Sequence, residues 1–172
     1  MPALNPDHLL DQAHRLTAAA GGIGAPRQAD LRRAISTAYY ALFHAILTEA
    51  ADDFVGKTQR HMPRYTLLYR SIDHKTLRVV CEDVAKPMMP AKYATFQPAG
   101  GFSLDIKAFA TALFDLQEKR HTADYDPRFR VRTSDTVLAV ATGRNALVRL
   151  RRATVAQRRA FVSLLVFPPR WG

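Results

Sequence analysis

The chain has 172 residues, 48% of them hydrophobic, one cysteine and a formal net charge of +10. That length can bury a core without staples, and a lone thiol, Cys81, cannot build a disulfide framework or a cysteine-based zinc site, so one domain in a reducing compartment is expected. No stretch approaches the roughly eighteen apolar residues of a membrane span, and the first residues lack a basic region followed by an apolar run, which leads us to expect a cytoplasmic protein with no membrane partner.

In chain order the sequence reads as helix after helix. Leu9, Leu10, Ala13 and Leu16 share one side of a helix from Asp7 to Ala20, which Gly21, Gly22 and Gly24 end. Pro26 opens the next, from about Arg27 to Ala50, where Leu31, Ile35, Ala38, Leu42 and Ile46 recur at helical spacing and predict the central core helix. On its other side Arg33, Ser36, Thr37, Tyr40 and His44 fall in one stripe, the pattern of either an internal polar network or a cleft wall. Residues 52–62 are polar and irregular. Pro63 starts a short helix through Tyr69, and another follows from Asp73 to Ala85 with Leu77, Val80, Cys81 and Val84 inward. The prolines and the Gly100-Gly101 pair between Lys86 and Phe102 predict a long loop. Ser103 then caps a helix that runs to Arg120 and ends near Ala123, because the Asp126-Pro127 step disfavours helical geometry. After a loop from Asp126 to Thr133, Ser134 caps a last helical region that breaks near Ala153, restarts at a Thr154/Gln157 capping-box spacing and stops at Pro168-Pro169. No segment alternates apolar and polar residues and no repeat appears, so the expected fold is an all-α bundle of about five helices over residues 1–133, with a basic helical region over 134–172 packing on it or extending it.

From Pro127 to Gly172 ten arginines, including Arg128 and Arg130, face one acid, Asp135, so this segment carries +9 and the first 126 residues only +1. Arginine without lysine suits bidentate contacts to phosphate or carboxylate, which makes nucleic acid the first partner to consider beside a merely solvated face. The six histidines show no metal-ligand spacing with acids, and glycine-rich phosphate loops and nucleophile elbows are absent, so no metal and no cofactor is expected.

One charge breaks the apolar pattern. Ile106, Phe109, Leu113 and Leu116 step along the inward side of their helix, and the same steps land next on Arg120 and Ala123. A guanidinium keeps its proton at any relevant pH, so a partly desolvated one requires an anion. Asp124, four residues on, offers an internal clamp. A ligand phosphate offers the alternative, and the sequence leaves both open.

Leu31 to His44, with the run Ser36-Thr37-Ala38-Tyr39-Tyr40, resembles the signature second helix of HEPN domains, and Arg120-His121-Thr122-Ala123-Asp124-Tyr125 resembles the Arg-x-x-Ala-Asp-Tyr ending of their later helix. The resemblance spans roughly residues 7 to 130. It implies a helical bundle that dimerises across the motif-bearing helices, and, as in many HEPN proteins, a metal-independent ribonuclease toxin neutralised by a nucleotidyltransferase-like antitoxin. In those enzymes a histidine follows the arginine with four to six residues between them. Here Tyr125 stands in that window, and a tyrosine with a pKa of about 10 is a poor general base at neutral pH. The catalytic candidates are Arg120, Tyr125 and His44, and the RNA- or nucleotide-binding candidates are Arg33, Ser36, Tyr40, Arg120, Asp124, Arg128 and Arg130. The rival reading is a non-catalytic helical binding or interaction module with a structural Arg120/Asp124 clamp.

Overall fold

The computed structural model describes residues 4–19 and 24–169. Among them are seven α-helices, two 3-10 turns and no strand: α1 Pro6–Arg15, α2 Gln28–Phe54, α3 Pro63–Tyr69, α4 His74–Ala85, α5 Leu104–Tyr125, α6 Thr133–Arg152 and α7 Val155–Val166, with the 3-10 turns at Lys57–Gln59 and Ala91–Phe96. The protein is all-α, and no helix among the described residues is long and apolar enough to cross a membrane.

The helix α2 is the axis. Leu31, Ile35, Ala38, Leu42 and Ile46 are buried, and so are Ala34, Tyr39, Phe43, Leu47, Ala50 and Ala51. A helix buried on nearly all sides must be surrounded, and α1, α3, α5, α6 and α7 all pack on it. Gly143 of α6 lets that helix come close, since a Cβ there would sit 2.8 Å from Leu10 Cδ2. On α5, Ile106, Phe109, Leu113 and Leu116 are fully buried. Residues from α6 and α7, among them Leu147, Leu150, Phe161, Val162 and Leu165, belong to the same core cluster as α2 and α5. The C-terminal helices therefore fill the interior.

The boundaries depart from expectation in instructive places. α1 stops at Arg15, short of the expected Ala20, and of the glycines expected to end it Gly21 and Gly22 lie outside the described residues, while Gly24 adopts a positive φ of 86° before the cap of α2. Arg27 is the N-cap of α2, so Pro26 precedes the cap instead of opening the helix. That helix runs past Ala50 to Phe54 because Ala50 and Ala51 are packed and the acids after them find distant partners. Asp52 receives Arg60 at 2.5 Å and Tyr65 at 2.9 Å, and Asp53 receives Arg159 at 2.8 Å. The proline-rich loop holds a 3-10 turn anchored by Tyr93, 1% exposed. α5 continues to Tyr125 with Asp126 as its C-cap, and α6 begins at Thr133, before the expected Ser134 cap. Ser103 does cap α5, accepting from the Ile106 amide at 3.3 Å. Thr154 accepts from the Gln157 amide at 3.3 Å, but the Gln157 side chain does not return to Thr154. It accepts from the Ser103 amide at 2.9 Å and donates to the Gly101 carbonyl at 3.1 Å, tying α7 to the start of α5.

Candidate anion site at Arg120

The position of Arg120 on the inward face of α5 brings it beneath α2, and its side chain is 15% exposed. Its Nε donates to Asp124 Oδ2 at 3.0 Å. Asp124 in turn receives the Ser36 hydroxyl at 2.5 Å on its other oxygen. The guanidinium carbon lies 5.4 Å from the ring centre of Tyr40, 5.6 Å from Tyr39 and 6.0 Å from Tyr125, within the range of cation–π attraction. No acceptor among the described residues engages its two terminal nitrogens. Asp124 therefore grips the arginine from the side and leaves its outer end among three tyrosines.

Tyr40 also walls a second feature. Leu9 and Gln12 of α1 and Arg33, Thr37, Tyr40 and His44 of α2 line an open groove of about 290 Å³. Four of the five residues of the polar stripe on α2 thus face one groove. Ser36 is the exception. It is 2% exposed and spent on Asp124, so it orients the site from behind and does not present its hydroxyl to a ligand. His44 Nδ1 lies 2.8 Å from the Tyr69 hydroxyl, and burial, followed by the nearby His74, lowers its pKa. Tyr125 is 65% exposed, with its ring 5.0 Å from that of His121.

The loop after α5 is held by a residue whose role the sequence did not reveal. Arg32 donates to the Ala123 carbonyl at 2.7 Å, to the Asp126 carbonyl at 2.9 Å and to the Phe129 carbonyl, which satisfies the C-terminus of α5 and folds the chain back on α2. Gln28 completes the anchor, donating to the Val131 carbonyl at 2.8 Å and accepting from its amide at 3.0 Å. Arg128 and Arg130 stand on this pinned loop, exposed and without an acidic partner among the described residues. Half of the tail's arginines are spent differently. Arg144 pairs with Asp11, Arg149 with Asp105, Arg151 with Asp7, Arg158 with Glu49 and Arg159 with Asp53. These arginines fasten the C-terminal helices to the body's acids, and a tail wholly devoted to phosphate is not what the fold presents. Arg170 lies outside the described residues.

His74 and Tyr39 are the other residues sequence reading missed. Tyr39 is fully buried, its hydroxyl 2.6 Å from His74 Nδ1. Burial raises the pKa of the phenol against the opposing charge of Arg120, so it stays protonated. No group of three or more His, Cys, Asp or Glu side chains among the described residues could hold a metal ion. Chemically, the arrangement offers a fixed cation for an oxyanion, aromatic faces for a planar group, and an adjacent groove with one more arginine.

Comparison of the chain with protein-family models, characterised proteins and solved structures finds no match.

Proposed function

We propose that the chain is a HEPN-like RNA- or nucleotide-binding protein, with Arg120 as its phosphate contact. The observation that carries this reading is the pair of unengaged terminal nitrogens of Arg120 set among Tyr39, Tyr40 and Tyr125. A guanidinium fork recognises phosphate oxygens in bidentate fashion, and the accessible rings of Tyr40 and Tyr125 can stack bases without regard to sequence, while buried Tyr39 backs the arginine. The groove with Arg33, Thr37, Tyr40 and His44 extends the surface for a neighbouring nucleotide, and Arg128 and Arg130 add backbone contacts.

Where the bound strand is RNA, the same arrangement suits metal-independent cleavage. A 2′-hydroxyl attacks its own phosphodiester, the 2′-oxygen to phosphorus bond forms as the bond to the 5′-oxygen breaks, and Arg120 stabilises the charge on the phosphorane. His44 is the stronger of the two candidates to take the 2′-hydroxyl proton, because its lowered pKa keeps the ring neutral at pH 7, and it can then give that proton to the departing 5′-oxygen. In this reading two copies pair about a two-fold axis through the α5 region, where Tyr125 lies exposed, and a nucleotidyltransferase-like antitoxin is the neutralising partner. A monomeric mass by light scattering at about tens of micromolar would count against the pairing.

The competing reading is a binding or interaction module in which Arg120 only clamps Asp124, and the 3.0 Å Nε contact favours it. Anisotropy titration of a labelled oligoribonucleotide with wild type and Arg120→Ala separates the two. The phosphate reading expects at least about a tenfold loss of affinity in a folded variant. Full affinity in that variant would leave the clamp alone standing.

A further inference from the structure

Resting on Arg120 as the phosphate contact, the geometry points to a partner for it from another helix. We propose that the imidazole of His74 is a second cationic contact of the same phosphate site, engaged when the ring carries a proton.

His74 is the first residue of α4, whose N-cap Asp73 accepts from the Lys75 and Thr76 amides, each at 2.8 Å. Its ring lies 4.4 Å from that of Phe43, 5.8 Å from Tyr39 and 6.5 Å from Tyr40. Arg120 sits over the same two tyrosine rings, so the two basic groups share one aromatic setting. The backbone there is fixed as well. Gln117, one turn before Arg120, donates to the His74 carbonyl at 2.9 Å and locks α4 against α5 at this point. The Tyr39 hydroxyl occupies Nδ1, which leaves Nε2 for a ligand.

The charges facing His74 are Arg120 from α5, His44 from α2 and Asp73 on its own helix, and the rings of Tyr39 and Tyr40 lie beside it. Burial first and Arg120 second lower the His74 pKa, and Asp73 only partly opposes them. In the ligand-free protein the ring is therefore largely neutral at pH 7. A bound phosphate reverses the balance, because its negative charge beside the ring favours imidazolium. Binding then takes up a proton, and by linkage affinity rises as the pH falls.

The probe is a 2′-O-methyl oligouridylate, which cannot be cleaved and whose phosphodiesters do not titrate between pH 5.5 and 8. Wild-type affinity, measured at constant ionic strength, should increase about fivefold or more from pH 8 to 5.5. His74→Asn should lose at least half of that increase, the remainder being what His44 in the neighbouring groove supplies. His121→Gln, beside Tyr125 but outside the proposed contacts, should keep the full increase. Tyr39→Phe, which deletes only the hydroxyl that orients the ring, should retain the fold and at least halve the increase, and it serves as the test if His74→Asn fails to fold. A flat wild-type profile with affinity still lost in Arg120→Ala would overturn the role of His74 and leave the phosphate site standing. An increase undiminished in His74→Asn, or in Tyr39→Phe where that variant carries the test, would also overturn it. Affinity independent of Arg120 at every pH would remove the underlying reading and this inference with it.

Discussion

Replacing Arg120 by alanine separates what the arginine does for the fold from what it does for a ligand. A fully buried ion pair broken on one side costs about 3 to 5 kcal/mol, and an exposed pair well under 1. Arg120 and Asp124 lie between these limits, with side chains 15% and 30% exposed. The abandoned carboxylate keeps the Ser36 hydroxyl and some water, so loss of the Nε contact should cost about 1 kcal/mol. Losing the attraction to Tyr39 and Tyr40, at 5.6 and 5.4 Å, adds about 0.5 kcal/mol each. The expected total is about 2 kcal/mol, which for a chain of this length lowers Tm by about 4 to 8 °C.

Urea denaturation of wild type, Arg120→Ala, Asp124→Asn and the double variant closes the thermodynamic cycle, with an expected coupling of about 1 kcal/mol. A cost below about 0.5 kcal/mol without coupling would mean that the contact to Asp124 is not formed in solution. A cost above about 4 kcal/mol, nearly all of it coupling, would mean a closed clamp whose charge is consumed internally. Only the intermediate result, together with lost RNA affinity in the folded variant, agrees with an arginine held at one edge and open at the other.

Stability should fall as pH drops below about 6.5, the ordinary histidine value. Both His44 and His74 have lowered pKa values in the folded state, so the unfolded chain binds more protons there. His74→Asn should reduce the slope between pH 6.5 and 5 in urea titrations, and an unchanged slope would contradict the burial described. Arg32→Leu removes three donations to backbone carbonyls and should cost about 2 kcal/mol while trypsin cuts faster after Arg128 and Arg130, whereas an unaltered cleavage rate would mean the loop is held by something else. Alanine at Arg128 or Arg130 should each reduce the salt dependence of RNA binding by about one charge, and a slope that does not move would place the backbone contacts elsewhere. Deleting residues 134–172 should abolish cooperative unfolding by circular dichroism because it removes Phe161, Val162, Leu147 and Leu150 from the core, and a truncation that melts cooperatively would refute the shared core.

The sequence disclosed whatever depends on spacing within one helix. The stripe Leu31, Ile35, Ala38, Leu42 and Ile46 gave the buried axis, and continuing the α5 pattern from Leu116 put Arg120 on the inward face, where its side chain is 15% exposed. Capping by Ser103 was legible for the same reason, since donor and acceptor lie three residues apart. What stayed hidden depends on partners far along the chain. Arg32 looks like any exposed arginine until the carbonyls of Ala123, Asp126 and Phe129 are folded onto it, about ninety residues away. Asp52 and Asp53 read as the start of a polar, irregular stretch, yet Arg60 and Arg159 pair with them on the last turn of α2. His74 carried no motif at all. Only the packing of α4 on α5 and the reach of Tyr39 bring it to the site.

The charge asymmetry acquires a different meaning once these partners are known. A segment of +9 beside a body of +1 suggests a binding tail, but the body's near neutrality is itself a balance of acids and bases. Asp7, Asp11, Glu49, Asp53 and Asp105 face α6 and α7 and take up their arginines. Such exposed pairs are individually weak, so they orient helices that the apolar core already holds. Among the described residues the positive charge left without an acidic partner includes Arg33 on the groove wall of α2 and Arg128 and Arg130 on the loop that Arg32 pins, together with Arg15, Arg64, Arg70, Arg132 and Arg152 elsewhere. Long-range attraction of a polyanion follows the uncompensated charge and not the arginine count. The pairs that fasten the C-terminal helices thereby leave fewer of the tail's arginines to attract a polyanion than its charge of +9 suggests.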